Sequence, residues 1–336
     1  MEVCSLTVIA VVVVLGFILN RFLRSLRINR YSYALKYVLI TGCDTGFGNI
    51  TAKKLYQMGF NVFAACLTEA GKEELVQFAN NENKSNKMIP FSMDVTKTES
   101  IKEGYSFVEG QIPHGKGLWG LVNNAGIAGP VGGIEFFTKA HYQRVLDVNA
   151  LGMFDVTTHF LPLLKIGKGR IVNTASIMGR LGFAGIAPYC VSKYAVEAFS
   201  DSARRQLKLW GVSVHIVEPG FFRTNITDLS LLEENYRKTF YGADPKVIEE
   251  YGQEFFKETM EVQLKKSVVI ANKNIHLVRD AYIHALTAVY PYVRYYVGPD
   301  AHLFYIPLAF LPGAIQDKIF AVLSKPPLPA ALKKKK

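Results

Sequence analysis

The sequence predicts an α/β protein, a doubly wound parallel sheet with helices on both faces. Three observations predict it. Short apolar runs rich in β-branched residues recur over residues 37–217; segments long enough for a helix separate them; and the first run ends in a glycine-rich turn. Alternation of this kind leaves successive strands parallel, each return crossing a face of the sheet. Residues 36–300 contain no repeat and no low-complexity linker, so they read as a single domain.

Composition agrees with that class. The chain has 336 residues, 49% of them apolar and 20% charged, which excludes a disordered, collagen-like or acidic-tail protein. The net charge of +11 sits at the ends: Arg21, Arg24, Arg27, Arg30 and the four lysines 333–336 oppose only Glu2, leaving 31 basic and 27 acidic residues, +4, over 31–332. No interior basic block interleaves with aromatics, so no nucleic-acid groove is expected. Four cysteines are too few for a disulfide-stapled fold. None forms a CxxC pair or a Cys/His cluster, His114, His141 and the other histidines show no ligand spacing, and no metal site is expected.

Taking the elements in order, residues 3–19 are an apolar run of 17 residues without charge. As a helix it would rise about 26 Å, the short end of what crosses a hydrocarbon core of roughly 30 Å. A membrane anchor with a basic flank is expected over 1–30. A cleaved signal would carry its positive charge before the apolar core and a small-residue site after it; here the arginines follow and no A-x-A pattern occurs. By the positive-inside rule the remainder would be cytosolic. The terminal tetralysine fits a di-lysine retrieval pattern of endoplasmic-reticulum membrane proteins, or equally a solubilising tail. Together these predict the endoplasmic-reticulum membrane with a cytosolic globular part.

Strands are expected at 37–41, 61–67, 87–94, 117–123, 169–175 and 212–217. Between the first strand and its helix lies Thr41-Gly42-Cys43-Asp44-Thr45-Gly46-Phe47-Gly48, where unshielded amides and a helix dipole can hold a pyrophosphate. Its spacing differs from G-x-G-x-x-G, so the turn alone decides nothing. Asp94 ends a strand, where a carboxylate can accept from an adenine amino group, and Asn123-Asn124-Ala125-Gly126 follows the next strand. Jointly they line the carboxyl ends of successive parallel strands, where open α/β sheets bind ligands.

Tyr189 and Lys193 stand four apart and share a helix face, with Ser176 thirteen residues before Tyr189 at a strand end. A phenol has a pKa near 10; bringing it to about 7 needs roughly 4 kcal/mol of phenolate stabilisation, which a lysine cation can largely supply. An isolated pair of this kind is usually a surface pair. Beside the glycine turn, the asparagine motif and Ser176, it reads as an acid–base site.

TGxxxGxG, NNAG, Asn149, Ser176 and YxxxK occur in that order over about residues 36–225, and here the sequence resembles the short-chain dehydrogenases/reductases. Ile40 to Gly48, Ala64-Ala65-Cys66-Leu67-Thr68-Glu69, the segment 117–126 and Glu218-Pro219-Gly220-Phe221-Phe222-Arg223-Thr224-Asn225 are similar to its microsomal retinol and hydroxysteroid dehydrogenase branch. Similarity to that branch extends through Tyr251-Gly252, 280–286 and 298–311. The resemblance implies a Rossmann-type sheet and a catalytic tetrad: Tyr189 exchanging the alcohol proton, Lys193 depressing its pKa and holding the nicotinamide ribose, Ser176 bonding the substrate oxygen, and Asn149 holding a relay water. It implies cofactor contacts from Gly42, Asp44, Gly46, Phe47 and Gly48, from Cys66 and Leu67, and from Asp94 and Val95. Asn123, Ala125, Gly126, Pro219, Gly220 and Thr224 complete that set with Tyr189 and Lys193. A homodimer is usual for the resembled family.

The second strand ends in Ala65-Cys66-Leu67, with neither an acid for a ribose 2′-hydroxyl nor an arginine for a 2′-phosphate, while Asp44 adds negative charge near the phosphates. NAD is therefore expected, with NADP as the alternative. After Pro219-Gly220 an insertion, about 221–275, holds Phe221, Phe222, Tyr236, Phe240, Tyr241, Tyr251, Phe255, Phe256 and Met260. About half of these are expected to be packing and the rest a lid over a lipid-sized substrate, with Phe221 and Phe222 beside Ser176 and Tyr189 at the substrate. Residues 301–336 form an apolar tail, of which 303–323 reads as interfacial or groove-lining.

The expected function is membrane-associated hydride transfer between NAD(H) and a lipophilic alcohol or carbonyl, retinol or a hydroxysteroid. A dehydrogenase for a smaller hydroxy acid such as 3-hydroxybutyrate would need a cation in the lid, and a non-catalytic dinucleotide-binding scaffold would have a broken tetrad. Sequons at Asn49, Asn83 and Asn225 carry little weight, since glycosylation would need a lumenal domain.

Overall fold

A computed structural model describes residues 2–82, 84–224, 227–264, 271–323, 325 and 327–333, with side chains from residue 11 onward and not at 262–264. Asn83, Asn225 and the lysines 334–336 lie outside the described residues. Seven parallel strands form one sheet in the order β3-β2-β1-β4-β5-β6-β7. They are β1 Tyr37–Thr41, β2 Asn61–Cys66, β3 Met88–Ser92, β4 Leu118–Asn123, β5 Arg170–Thr174, β6 Ser213–Pro219 and β7 Arg294–Val297. Six fall at the expected positions. Strand order reverses between β1 and β4, opening a crevice at their carboxyl ends.

Alternation along each strand builds two cores. Val38, Ile40 and Val62 face α2 (Gly46–Gln57), α3 (Glu69–Glu82) and the helix His276–Thr287, meeting Leu55, Leu75 and Tyr282. Leu39, Phe63 and Leu121 face α4 (Thr98–Gln111), α6 (Gly152–Gly167) and α7 (Ala187–Leu207), meeting Ile101, Phe160 and Leu207. These residues are all almost completely buried, and at about 25 cal/mol per Å² of apolar surface such burial is the main stabilising term. Helix α5 (Lys139–Leu146) passes into α6 through a π turn, Asp147–Leu151.

Between β6 and the helix His276–Thr287, which is α10, stand α8 (Leu229–Tyr241) and α9 (Pro245–Glu258), the latter kinked at Gly252 with φ 79°. They carry a satellite core of Val131, Phe136, Tyr236, Phe240 and Phe256. After β7 come the short α11 (Ile306–Ala309), α12 (Gly313–Leu323) and α13 (Ala330–Lys333). Lys333 reaches Glu254 of α9 at 3.0 Å.

The N-terminal α1 (Glu2–Ser25) is one continuous helix of 24 residues. Among the described residues no helix is long and apolar enough to cross a membrane, so the structure does not show the spanning anchor expected at 3–19. Val12, Val13, Phe17 and Phe22 are exposed along α1. Its base is fastened to the catalytic body: Ile28 N donates to Thr287 O at 2.8 Å, Val289 N to Leu26 O at 2.9 Å, and Arg24 to Tyr290 O and Pro291 O at 3.0 and 2.7 Å. Cys43, Cys66 and Cys190 are free thiols in the buried interior, and burial pushes the Cys66 thiol up to about 12. No metal-binding cluster occurs among the described residues.

Candidate active site

A cavity of about 1850 Å³ opens at the carboxyl ends of the strands, with Ser176, Tyr189 and Lys193 on its wall. Ser176 follows β5 and caps a tight turn, Ile177–Gly179, accepting from Met178 N at 3.2 Å. Tyr189 lies in the first turn of α7, which starts on Ala187-Pro188; proline suits that position because its missing N–H needs no partner there. The positive end of the helix dipole therefore favours negative charge on the phenol oxygen. Ser176 stands beside that phenol, and its hydroxyl favours the ionised form. One turn on, Lys193 donates to Thr174 O at 2.8 Å.

Burial dominates both titrations. It pushes Tyr189 up to about 12, only partly offset by Ser176, and pulls Lys193 down to about 8 against the opposing pull of Glu197. The expected lowering of Tyr189 toward neutrality is absent in the chain alone. Lys193 Nζ is bonded to Thr174 and stands 5.6 Å from the centre of the Tyr189 ring, near enough to act on a phenolate but not to outweigh the desolvation of the phenol. At neutral pH the phenol is therefore protonated, a proton donor.

Asn149, in the π turn, is buried behind the wall. Its side chain accepts from Ile127 N at 2.8 Å and donates to Ile127 O at 3.0 Å and Ser192 Oγ at 3.1 Å. These bonds fix the loop after β4 against α7.

The glycine turn is shaped for an anion. Gly42 has φ 68°, and a Cβ there would stand 2.8 Å from Ala125 Cα; Gly46 has φ 63° with open space around it. No side-chain cap bonds the start of α2, whose first residues, Gly46 and Phe47, line the cavity. Gly48 is not on the wall but packs under Gly42, where a Cβ would meet Gly42 O at 2.3 Å. The donors, the left-handed turn and the close approach fit a dinucleotide phosphate.

Asp44 corrects an expectation. Its carboxylate accepts from Leu67 N at 3.0 Å, Thr68 N at 2.8 Å and the Thr68 hydroxyl at 2.6 Å, so its charge is held at the end of β2. The β2 end, without an acid of its own, thus acquires one from the glycine loop. Leu67 lines the cavity while Cys66 is buried beneath it. Asp94 and Val95 line the next stretch. Partial burial works to raise the Asp94 carboxyl, but hydrogen bonds from Thr96 and the Lys97 ammonium outweigh it and hold it below the usual range.

Asn123 is a second correction. It donates to Thr157 Oγ1 at 2.9 Å and Asn173 Oδ1 at 2.8 Å inside the sheet, off the wall. Asn124 takes the wall position, donating to Thr41 O and Gly42 O at 2.9 and 3.0 Å and pinning the turn. Ala125, Gly126, Pro219, Gly220 and Thr224 line the cavity. Of the insertion's aromatics, Phe221, Phe222, Tyr236, Tyr251 and Phe255 reach the wall; Phe240 and Phe256 are packing and Tyr241 is exposed. Phe183, which the sequence did not single out, and Tyr305 and Phe320 of the tail segment 303–323 line the other side, Phe183 lying 5.4 Å from both rings.

A buried charge cluster stands behind the site. Arg294 of β7 bonds Glu197 and, at 2.8 Å, Glu218; Arg180 bonds Glu218 at 3.1 Å. It joins the Ser176 turn, α7, β6 and β7. Burial and the neighbouring Glu218 carboxylate push Glu197 up to about 7. Arg294→Met would leave two buried carboxyls short of a cation, a loss of about 3–5 kcal/mol. A melting curve should fall by roughly 10 °C; a shift under about 2 °C would show that the cluster holds nothing together.

Comparisons place this arrangement among known proteins. The family model for short chain dehydrogenases matches residues 36–235. Retinol dehydrogenase 16 of Rattus norvegicus is 46% identical over 292 residues, covering 87% of this chain and 90% of that one. The 17-beta-hydroxysteroid dehydrogenase type 6 of Homo sapiens is 43% identical over 284 residues, 84% and 87% of the two chains. Among solved structures, a short chain dehydrogenase/reductase from Burkholderia phymatum in complex with NAD superposes with a TM-score of 0.66 at 21% identity, covering 88% of this chain and 97% of that one.

Proposed function

The chain belongs to the short-chain dehydrogenase family, and from that premise we propose that it oxidises or reduces a lipophilic alcohol–carbonyl pair, retinol/retinal or hydroxysteroid/ketosteroid, with a nicotinamide dinucleotide. The observation that carries this reading is the convergence of Ser176, Tyr189 and Lys193 on one large, aromatic-walled cavity. When bound, the dinucleotide supplies the hydride acceptor or donor. In reduction, the protonated Tyr189 donates to the carbonyl oxygen while Ser176 bonds the same oxygen as its charge develops. In oxidation, Tyr189 as phenolate takes the hydroxyl proton, and the Lys193 ammonium and the start of α7 stabilise that anion. Asn149 acts by holding the 127 loop and Ser192.

Substrate class follows from the wall. Among the described lid residues that reach the cavity none is cationic, and Glu261 is acidic, which does not suit a small hydroxy acid. A panel of retinol isomers and hydroxysteroids with NAD and NADP tests the reading through kcat/KM. Turnover confined to small hydroxy acids would contradict it.

NAD is the proposed preference, supported by the Asp44 carboxylate at the β2 end, which repels a 2′-phosphate. Asp44→Asn keeps the shape and removes the charge. The ratio of kcat/KM for NAD over NADP should fall about ten-fold; an unchanged ratio would remove Asp44 from the selection.

Membrane association is proposed through the exposed apolar side of α1 and its arginine flank, with the catalytic body cytosolic at the endoplasmic reticulum. Deleting residues 2–19 should move the protein from the microsomal pellet to the supernatant with its activity retained. Persistence in the pellet would place the membrane contact elsewhere.

A further inference from the structure

Tyr236 of α8 is 1% exposed, its ring stacked on Phe256 at 5.3 Å and 9°. Its hydroxyl oxygen and that of Thr259 are buried, and neither makes a well-formed hydrogen bond to a described residue. Both residues line the cavity. They are neighbours: a loose contact with the Thr259 hydroxyl partly offsets the effect of burial on the Tyr236 phenol, and even counted as a hydrogen bond it leaves one hydroxyl proton of the pair without an acceptor. A buried hydroxyl left without a partner costs about 1–3 kcal/mol, and folded proteins leave few such groups. Phenylalanine and valine would fill the same space without that cost. Two adjacent hydroxyls with a proton left unpaired, beside the aromatic lid side chains, are therefore a site awaiting an oxygen.

Their place in the cavity fixes what that oxygen belongs to. Tyr189 packs in one aromatic group with Phe183 and Phe221; Tyr236 packs in another with Val131 and Phe136; Ile186 touches both groups and lies between them. A substrate with its reacting carbon at Tyr189 extends past Ile186 toward Tyr236.

We propose that Tyr236 and Thr259 form a distal subsite that binds a hydroxyl or keto oxygen at the far end of a rigid lipophilic substrate. The enzyme then selects compounds with oxygen at both ends, the steroid pattern, over a polyene alcohol whose far end is hydrocarbon. This rests on the reading that Tyr189 marks the reacting end.

The test uses the full-length enzyme in membranes and three substrates: a steroid alcohol with a second oxygen on the opposite terminal ring, its analogue lacking that oxygen, and retinol. Their kcat/KM values are measured for wild type, Tyr236→Phe and Thr259→Val, together with Kd values of the two steroids for the NAD-loaded protein. Wild type should favour the doubly oxygenated steroid over its analogue by roughly 5- to 30-fold. Each variant should erase most of that preference while leaving the analogue and retinol unchanged. Equal wild-type values for the two steroids, or a variant that lowers all three substrates alike, would overturn the subsite. A preference kept in Kd with no turnover of any substrate would instead overturn the proposed reaction and leave the subsite standing.

Discussion

Tyr189→Phe abolishes turnover and leaves cofactor affinity within about two-fold of wild type. The substitution removes one oxygen from a side chain otherwise enclosed by Phe183, Phe221 and Tyr305, so the ring still fills its place. What disappears is the wall hydroxyl that stands beside Ser176 at the positive start of α7. A positioned acid–base group contributes about 10²–10⁴ in rate, and the loss should appear in kcat for both directions. Cofactor binding followed by fluorescence separates this from unfolding. Residual activity above about a tenth of wild type would mean that another group moves the proton.

Lys193→Met has the second-largest effect, and its two consequences run in opposite directions. Turnover should fall by two to three orders of magnitude, because the phenolate loses the cation that stabilises it. Stability of the cofactor-free protein should not fall. Burial holds Lys193 near 8 rather than 10.5, a displacement equivalent to about 3 kcal/mol at 1.36 kcal/mol per pH unit. A base with a lowered folded pKa weakens the native state most below about pH 8, where it is charged in both states, and that penalty fades as pH rises toward 10.5. Methionine removes it at the cost of leaving the Thr174 carbonyl without its donor, about 1–3 kcal/mol. A melting temperature at pH 7 equal to or above wild type is expected. A large drop would mean that the ammonium is a structural clamp.

The site was legible in sequence where chemistry and spacing travel together. Tyr189 and Lys193 share a helix face because they are four apart, and the Ser176 position follows from the end of an apolar strand. Strands β1 to β6 showed themselves as β-branched apolar runs. Strand β7 did not, because Arg-Tyr-Tyr-Val is too short and polar to stand out; its pairing with β6 is what makes it a strand.

Asn123 and Asn124 were separable only by parity. Leu121 and Asn123 face the α6 side of β4, where Thr157 meets Asn123, while Val122 shares the other core. A shift of one residue along a strand reverses the face. Asp44 at the end of β2 is a fold-back bond between segments 23 residues apart, and no local pattern encodes it. The pressure of burial on Tyr189 likewise needed the packing: the sequence shows the cation nearby, and only the structure shows it engaged by Thr174 at 2.8 Å.

The central claim is that Tyr189 carries the proton and Lys193 sets when it ionises. The most direct measurement is log kcat/KM for alcohol oxidation against pH, wild type beside Lys193→Met. The account predicts that the rate climbs with pH in both, with the rising limb of the variant displaced upward by more than about one pH unit, toward the value burial alone imposes on the phenol. Superimposable limbs would contradict it, for the lysine would then have no hold over the group that accepts the proton.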